Sequence, residues 1–106
     1  MTPPTNGNLS LSREEAWIAH AALLDAGAVA AAAGDDPPAQ RRPIRRIERD
    51  RALAPEGTEL LRDALIDYLG DAPVRDRAPG RALLRRVDEA VESRAPSSPR
   101  DAGRGA

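Results

Sequence analysis

LSREEAWIAHAALLDAGAVAAAAG, residues 11–34, is the stretch whose reading decides the fold. It opens with Ser12 and Glu15 at the spacing of a capping box, in which the hydroxyl accepts the Glu15 amide and the carboxylate reaches back to the Ser12 amide. Glu14 and Glu15 also complement the positive end of the helix dipole. From there Trp17, His20, Ala21, Leu24, Ala28 and Ala31 recur at steps of three and four, flanked by Ile18 and Leu23. That period predicts a helix whose inner side is this stripe. Gly34 ends it. Gly27 inside the helix costs about 1 kcal/mol relative to Ala unless another helix approaches closely there.

Outward from this segment the chain shows further helices separated by Pro and Gly. Asp35-Asp36-Pro37-Pro38 is a loop in which Asp36 can cap a second helix over about 37–51. Pro43 is awkward within it and either kinks that helix or starts it, leaving Ile44 and Ile47 inward. Ala54-Pro55-Glu56 begins a third helix that runs to Leu69 and closes at Gly70, with Leu61, Ala64, Leu65 and Tyr68 on one face and Leu60 and Leu69 beside it. After a turn at residues 71–74, which leaves room for a short helical piece through Arg77, a fourth helix starts at Pro79 and buries Leu83, Leu84, Val87, Ala90 and Val91. No stretch alternates convincingly, so no strand is expected. The expected fold is all-α: a compact bundle or orthogonal array of about four short helices. Residues 10–93 form the single domain, and 1–9 and 94–106 read as flexible tails. Trp17, Leu24, Leu61, Leu65, Tyr68, Leu83 and Val87 are its expected core.

That core must be small. Of 43 nominally hydrophobic residues 21 are Ala and none is Phe, leaving 22 larger ones in 106 residues. A length of this order allows one core rather than two. The chain has no Cys, which excludes disulfides and thiolate chemistry. Its longest apolar tract, residues 26–33, is far short of the roughly 20 residues of a membrane span. The start, MTPPTNGN, has neither a basic nor an apolar run, so a cytoplasmic location is expected.

Net charge is −1, yet it is segmented. Residues 41–51 hold Arg41, Arg42, Arg45, Arg46, Arg49 and Arg51 against Glu48 and Asp50, while residues 56–71 hold five acids against Arg62. Arg41, Arg45 and Arg49 share one helix face, as do Glu59, Asp63 and Asp67, so adjacent helices could set the two stripes together. The ordinary reading of such a segment is internal pairing with neighbouring acids. The functional one is a nucleic-acid or partner-binding surface made by Arg41, Arg42, Arg45, Arg46 and Arg49. No aromatic residue is interleaved for base stacking.

Catalytic chemistry finds little purchase. His20 is the sole imidazole and reads as a packed or capping residue at the core margin. One His and no Cys exclude a zinc site, and no phosphate loop, nucleophile elbow or dinucleotide fingerprint occurs. No enzyme activity and no cofactor are expected. Trp17 reads as a core anchor, with an interface hot spot as the alternative, and Gly27 would suit close pairing of a second copy.

LSREEAWIAHAALLD together with LLRDALIDYLGDAPVRDRAPGRALLRRVDEAV resembles the short, uncharacterised helical proteins of halophilic archaea, over about residues 9–92. The resemblance brings no reaction and no catalytic residue. It implies a salt-rich cytoplasm in which exposed ion pairs and phosphate contacts are strongly screened. The expectation is thus a non-enzymatic helical interaction or structural module that pairs with itself or with another protein. A small nucleic-acid-binding or regulatory protein using the Arg41–Arg51 segment is the alternative.

Overall fold

The computed structural model describes residues 8–94. In chain order it contains β1 (Leu9–Ser10), α1 (Arg13–Ala32), α2 (Arg41–Asp50), β2 (Ala52–Leu53), α3 (Pro55–Asp71) and α4 (Val74–Arg94). Four helices dominate, as the apolar periods require, and α3 is central, packed against both α1 and α4. The expected tails fall outside the described residues, except that exposed Asn8 precedes Leu9, which is buried in β1, and Arg94 ends α4.

The start of α1 follows its sequence signal. Ser12 N donates to Glu15 Oε1 at 2.8 Å and Glu15 N to Ser12 Oγ at 3.1 Å, completing the capping box. At the other end Gly34 takes φ of 111°, with its amide on the Ala31 carbonyl and the Asp35 amide on that of Ala30. These two bonds are a Schellman closure, which needs a left-handed residue where Gly stands.

The rotation of α1 is a correction. Its buried residues are Ala16, Ile18, Ala19, Ala22, Leu23 and Gly27, whereas Trp17 is 74% exposed and Leu24 49%. The two expected core residues therefore face outward, with Ala28 and Ala31 beside them. The physical reason lies in size: a face of Ala and Gly lets α3 and α4 come near enough for Ile18 and Leu23 to meet Leu61, Leu65, Leu83 and Val87 in one cluster. Gly27 is covered within the chain, where an added Cβ would lie 3.4 Å from Gln40 Cβ.

Both internal prolines also depart from expectation. α2 begins at Arg41, with Gln40 rather than Asp36 at its cap. Pro43 neither starts nor kinks it; it sits in the first turn, where a backbone amide has no intrahelical acceptor to lose, and the first such bond runs from Ile44 N to the Gln40 carbonyl. A start at Pro37 would have put Pro43 in the interior. α4 starts at Val74 and runs through Pro79. Its early turn is pinned by Arg77 Nε on the Ala72 carbonyl at 3.1 Å and by Tyr68 Oη on Asp76 Oδ2 at 2.9 Å, and Gly80 is buried against Leu69. These contacts offset the bond that proline removes. Gly70 does not close α3, which continues to Asp71 and gives way to extended Ala72.

A short antiparallel ribbon was also not expected. Leu9 faces Leu53 and Ser10 faces Ala52, and Leu11 N donates to the Arg51 carbonyl at 2.8 Å. Arg51 ends α2 in the left-handed region at φ 53° and turns the chain into β2. Leu9, Leu11 and Leu53 are all buried, so the ribbon closes one end of the core. The inner faces of α3 (Leu61, Ala64, Leu65) and α4 (Leu83, Val87, Val91) lie where the periodicity placed them, with Leu60, Tyr68, Leu84 and Ala90 half-buried alongside.

In urea unfolding of dilute protein, Leu23→Ala is expected to cost about 2–5 kcal/mol and Ala22→Leu about 1–3 kcal/mol by overpacking. Trp17→Ala should stay within about 0.5 kcal/mol of the parent. A large loss from Trp17→Ala would place that side chain in the core after all.

Candidate functional site

Two surfaces stand out, and both follow from how α1 and α2 are anchored. α2 is held by Pro43 and Ile47, which are buried, and by half-buried Ile44, so its arginines point away from the core. They border a groove of about 900 Å³ whose lining also includes Pro37, Pro38, Pro43, Glu56, Gly57 and Leu60. Arg41, Arg42, Arg45, Arg46 and Arg49 all line it. Arg46 Nε and Arg49 Nε reach Asp50 Oδ2 at 2.9 and 3.2 Å. Among the described residues Arg41, Arg42 and Arg45 have no ion-pair partner, and Arg41, Arg42 and Arg45 are exposed.

Asp63 and Asp67 of the acidic stripe are not set against these arginines. Asp63 and Asp67 line a different cleft, of about 410 Å³, between α1 and α3, with Asp25 and Asp71. Tyr68 borders this cleft, and burial, reinforced by its hydrogen bond to Asp76 and by the Asp76 and Asp25 charges, pushes its phenol above the usual 10.0. Gln40 Oε1, on the same lining, is buried without a hydrogen-bond donor among the described residues. Among the described residues no group of three or more His, Asp or Glu side chains is placed to hold a metal ion.

His20 is half-buried, and its Nε2 lies 2.8 Å from Glu48 Oε2, so the imidazole joins α1 to α2 at the margin of the core. Glu15 has a double duty that the capping pattern did not reveal. Arg86 of α4 donates through Nη1 to Glu15 Oε1 at 2.6 Å and through Nη2 to the Ser10 carbonyl at 3.2 Å. Burial alone would raise the Glu15 carboxyl; the Arg86 guanidinium and the Ser12 amide outweigh it and hold the group below its ordinary 4.5.

The second surface is the outward side of α1. Between Ala16 and Gly34 only His20 and Asp25 are polar, so the helix is apolar nearly all round. One side fills the core; the other presents Trp17, Leu24, Ala28 and Ala31 to solvent. A helix apolar on every side is normally covered on every side. The periodicity of that stripe was visible in the sequence, and its destination was not.

Residues 9–88 match a family described as "Family of unknown function (DUF7853)". The chain belongs to this family. No curated protein matches the chain, and no solved structure does. The family match runs from β1 into α4, so the arginine groove and the outward stripe both lie within it. No described helix is long and apolar enough to cross a membrane.

The Glu15 geometry sets a pH dependence. A carboxyl lowered on folding contributes stability above its unfolded value near 4.5, and that contribution is lost as pH falls through the lower folded value. Stability measured from pH 6 to pH 2 should fall more steeply in the parent than in Glu15→Gln as the pH drops below 4.5. Equal slopes would separate Glu15 from the acid response.

Proposed function

We propose that this protein is a non-enzymatic helical interaction module of the cytoplasm, and that its contact surface is the outward side of α1. The observation that carries the reading is Trp17, 74% exposed at the head of an apolar stripe. In a domain with a single Trp and no Phe, leaving the largest apolar side chain in water forgoes its greatest source of burial. Trp is also the residue most enriched at interface hot spots. Its partner is a second copy or another protein. The sole imidazole is engaged with Glu48 in an interhelical contact, which fits a structural use of His20.

The arginine groove supports a second reading, a nucleic-acid-binding protein using Arg41, Arg42, Arg45, Arg46 and Arg49. Its observation is the set of exposed arginines, Arg41, Arg42, Arg45 and Arg49, beside half-buried Arg46 along a groove that prolines also line. Two arguments rank it second. Among the described residues the groove is lined by no aromatic side chain for stacking. The resemblance to proteins of halophilic archaea, with their salt-rich cytoplasm, also disfavours contacts that salt screens, whereas apolar association survives salt.

A photo-crosslinking aryl ketone amino acid in place of Trp17 is expected to give covalent protein adducts in cells, and the same group in place of exposed Arg85 should give few. Absence of adducts at position 17 would contradict the interaction reading. For the groove, RNA and DNA titrations at about 50 and 200 mM salt should show steep weakening, flattened by Arg45→Ala with Arg49→Ala. No binding at the lower salt removes that reading.

A further inference from the structure

We infer that the outward side of α1 pairs with the same helix of a second copy, antiparallel and in one register. This rests on the interaction reading above and names its partner. Trp17, Ala21, Leu24, Ala28 and Ala31 succeed one another at steps of four, three, four and three, the spacing of a coiled-coil seam. Trp17, Leu24, Ala28 and Ala31 are exposed and Ala21 is half-buried, so the seam is open along the helix.

The order of sizes along the seam chooses the partner and its direction. Large and small alternate at the start: Trp17, Ala21, Leu24, Ala28. Antiparallel pairing about a two-fold axis between residues 22 and 23 sets Trp17 against the partner's Ala28 and Leu24 against the partner's Ala21. Each bulky side chain then rests on a methyl group, in all four layers. Parallel pairing would oppose Trp17 to its own copy and Ala28 to its own, alternately crowding the layers and leaving gaps. A self-complementary surface of this kind is what a two-fold dimer requires.

The helix dipoles agree with the same register, since antiparallel pairing sets them in opposition. The last turn of α1 carries no basic residue of its own, and the pairing brings Arg13 of each copy near the partner's Ala32 while Glu14 lies opposite the partner's Ala31, so the charges at each end of the seam balance. Between Ala16 and Gly34, His20 is already joined to Glu48 at the edge of the seam, leaving Asp25 as the other polar neighbour. The helix is about 30 Å long, so the seam lies at the small end of specific interfaces. Dimerisation should accordingly appear over roughly micromolar to millimolar protein.

The full chain is tested by light scattering across that concentration range. The mass should rise from 11.3 kDa toward twice that value, 22.6 kDa. Trp17→Ala should hold the mass at 11.3 kDa with an unchanged circular dichroism spectrum. Because the chain has no Cys, register can be read by oxidation. A Glu14→Cys chain mixed with an Ala31→Cys chain should form a mixed disulfide dimer. Neither alone should, since antiparallel pairing keeps like positions about 25 Å apart. Homodimers of the Glu14→Cys chain would overturn the antiparallel arrangement. A parent that stays at 11.3 kDa throughout overturns self-pairing. In that event, adducts from position 17 to a different protein leave the interaction reading standing, and no adducts at all remove both.

Discussion

The constraint on which this structure depends is the shortage of large apolar side chains, which can be met only by bringing helices close together. Ala19 and Ala22 are fully buried on α1, and Gly57 and Gly80 lie where an added Cβ would press on Leu53, Pro43 or Leu69. These small residues contribute little area themselves. They bring Ile18, Leu23, Leu53, Leu61, Leu65, Leu83 and Val87 within reach of one another, so that a few branched side chains make a dry cluster. Once α1 presents this face inward, Trp17 must face outward. The fold and its most conspicuous surface therefore have one cause.

Around that cluster, polar contacts set direction rather than depth. Glu15 closes the α1 cap and receives Arg86 from α4; His20 meets Glu48 across α1 and α2; Arg62 lies 3.7 Å from Asp88 across α3 and α4. Most of these groups are partly exposed, and pairs of that kind contribute about 0–1 kcal/mol each. Their value lies in fixing which helix meets which. The exception is Thr58, buried in the first turn of α3, whose hydroxyl donates to the Ala54 carbonyl at 3.1 Å and so is not left unpaired.

Local chemistry was legible in the residues and tertiary choice was not. The Ser12–Glu15 cap, the Gly34 closure, Pro55 at the head of α3 and the inner faces of α3 and α4 are each settled by a few neighbouring side chains, and each stands where its pattern put it. The face of α1 was ambiguous because the helix is apolar on both sides; only the demand for close packing chooses between them. Pro43 and Pro79 required knowing where their helices begin, which the turn and the packing of Gly80 decide. The ribbon is two residues per strand, too short for alternation to show. The groove was half visible: the arginines announced themselves, but its lining joins Pro37, Pro38 and Leu60 from separate segments.

The outward stripe and the arginine groove occupy different elements and obey different physics, one apolar and not weakened by salt screening, the other cationic and screened by it. The apolar stripe depends on the rotation of α1, and the single Trp reports that rotation directly. The decisive measurement is the emission spectrum and acrylamide quenching of Trp17 as a function of protein concentration. In dilute solution the emission should match free tryptophan and quench as readily, then shift to the blue and become protected as concentration rises. Blue, protected emission at every dilution would put Trp17 in the core and contradict the packing described above.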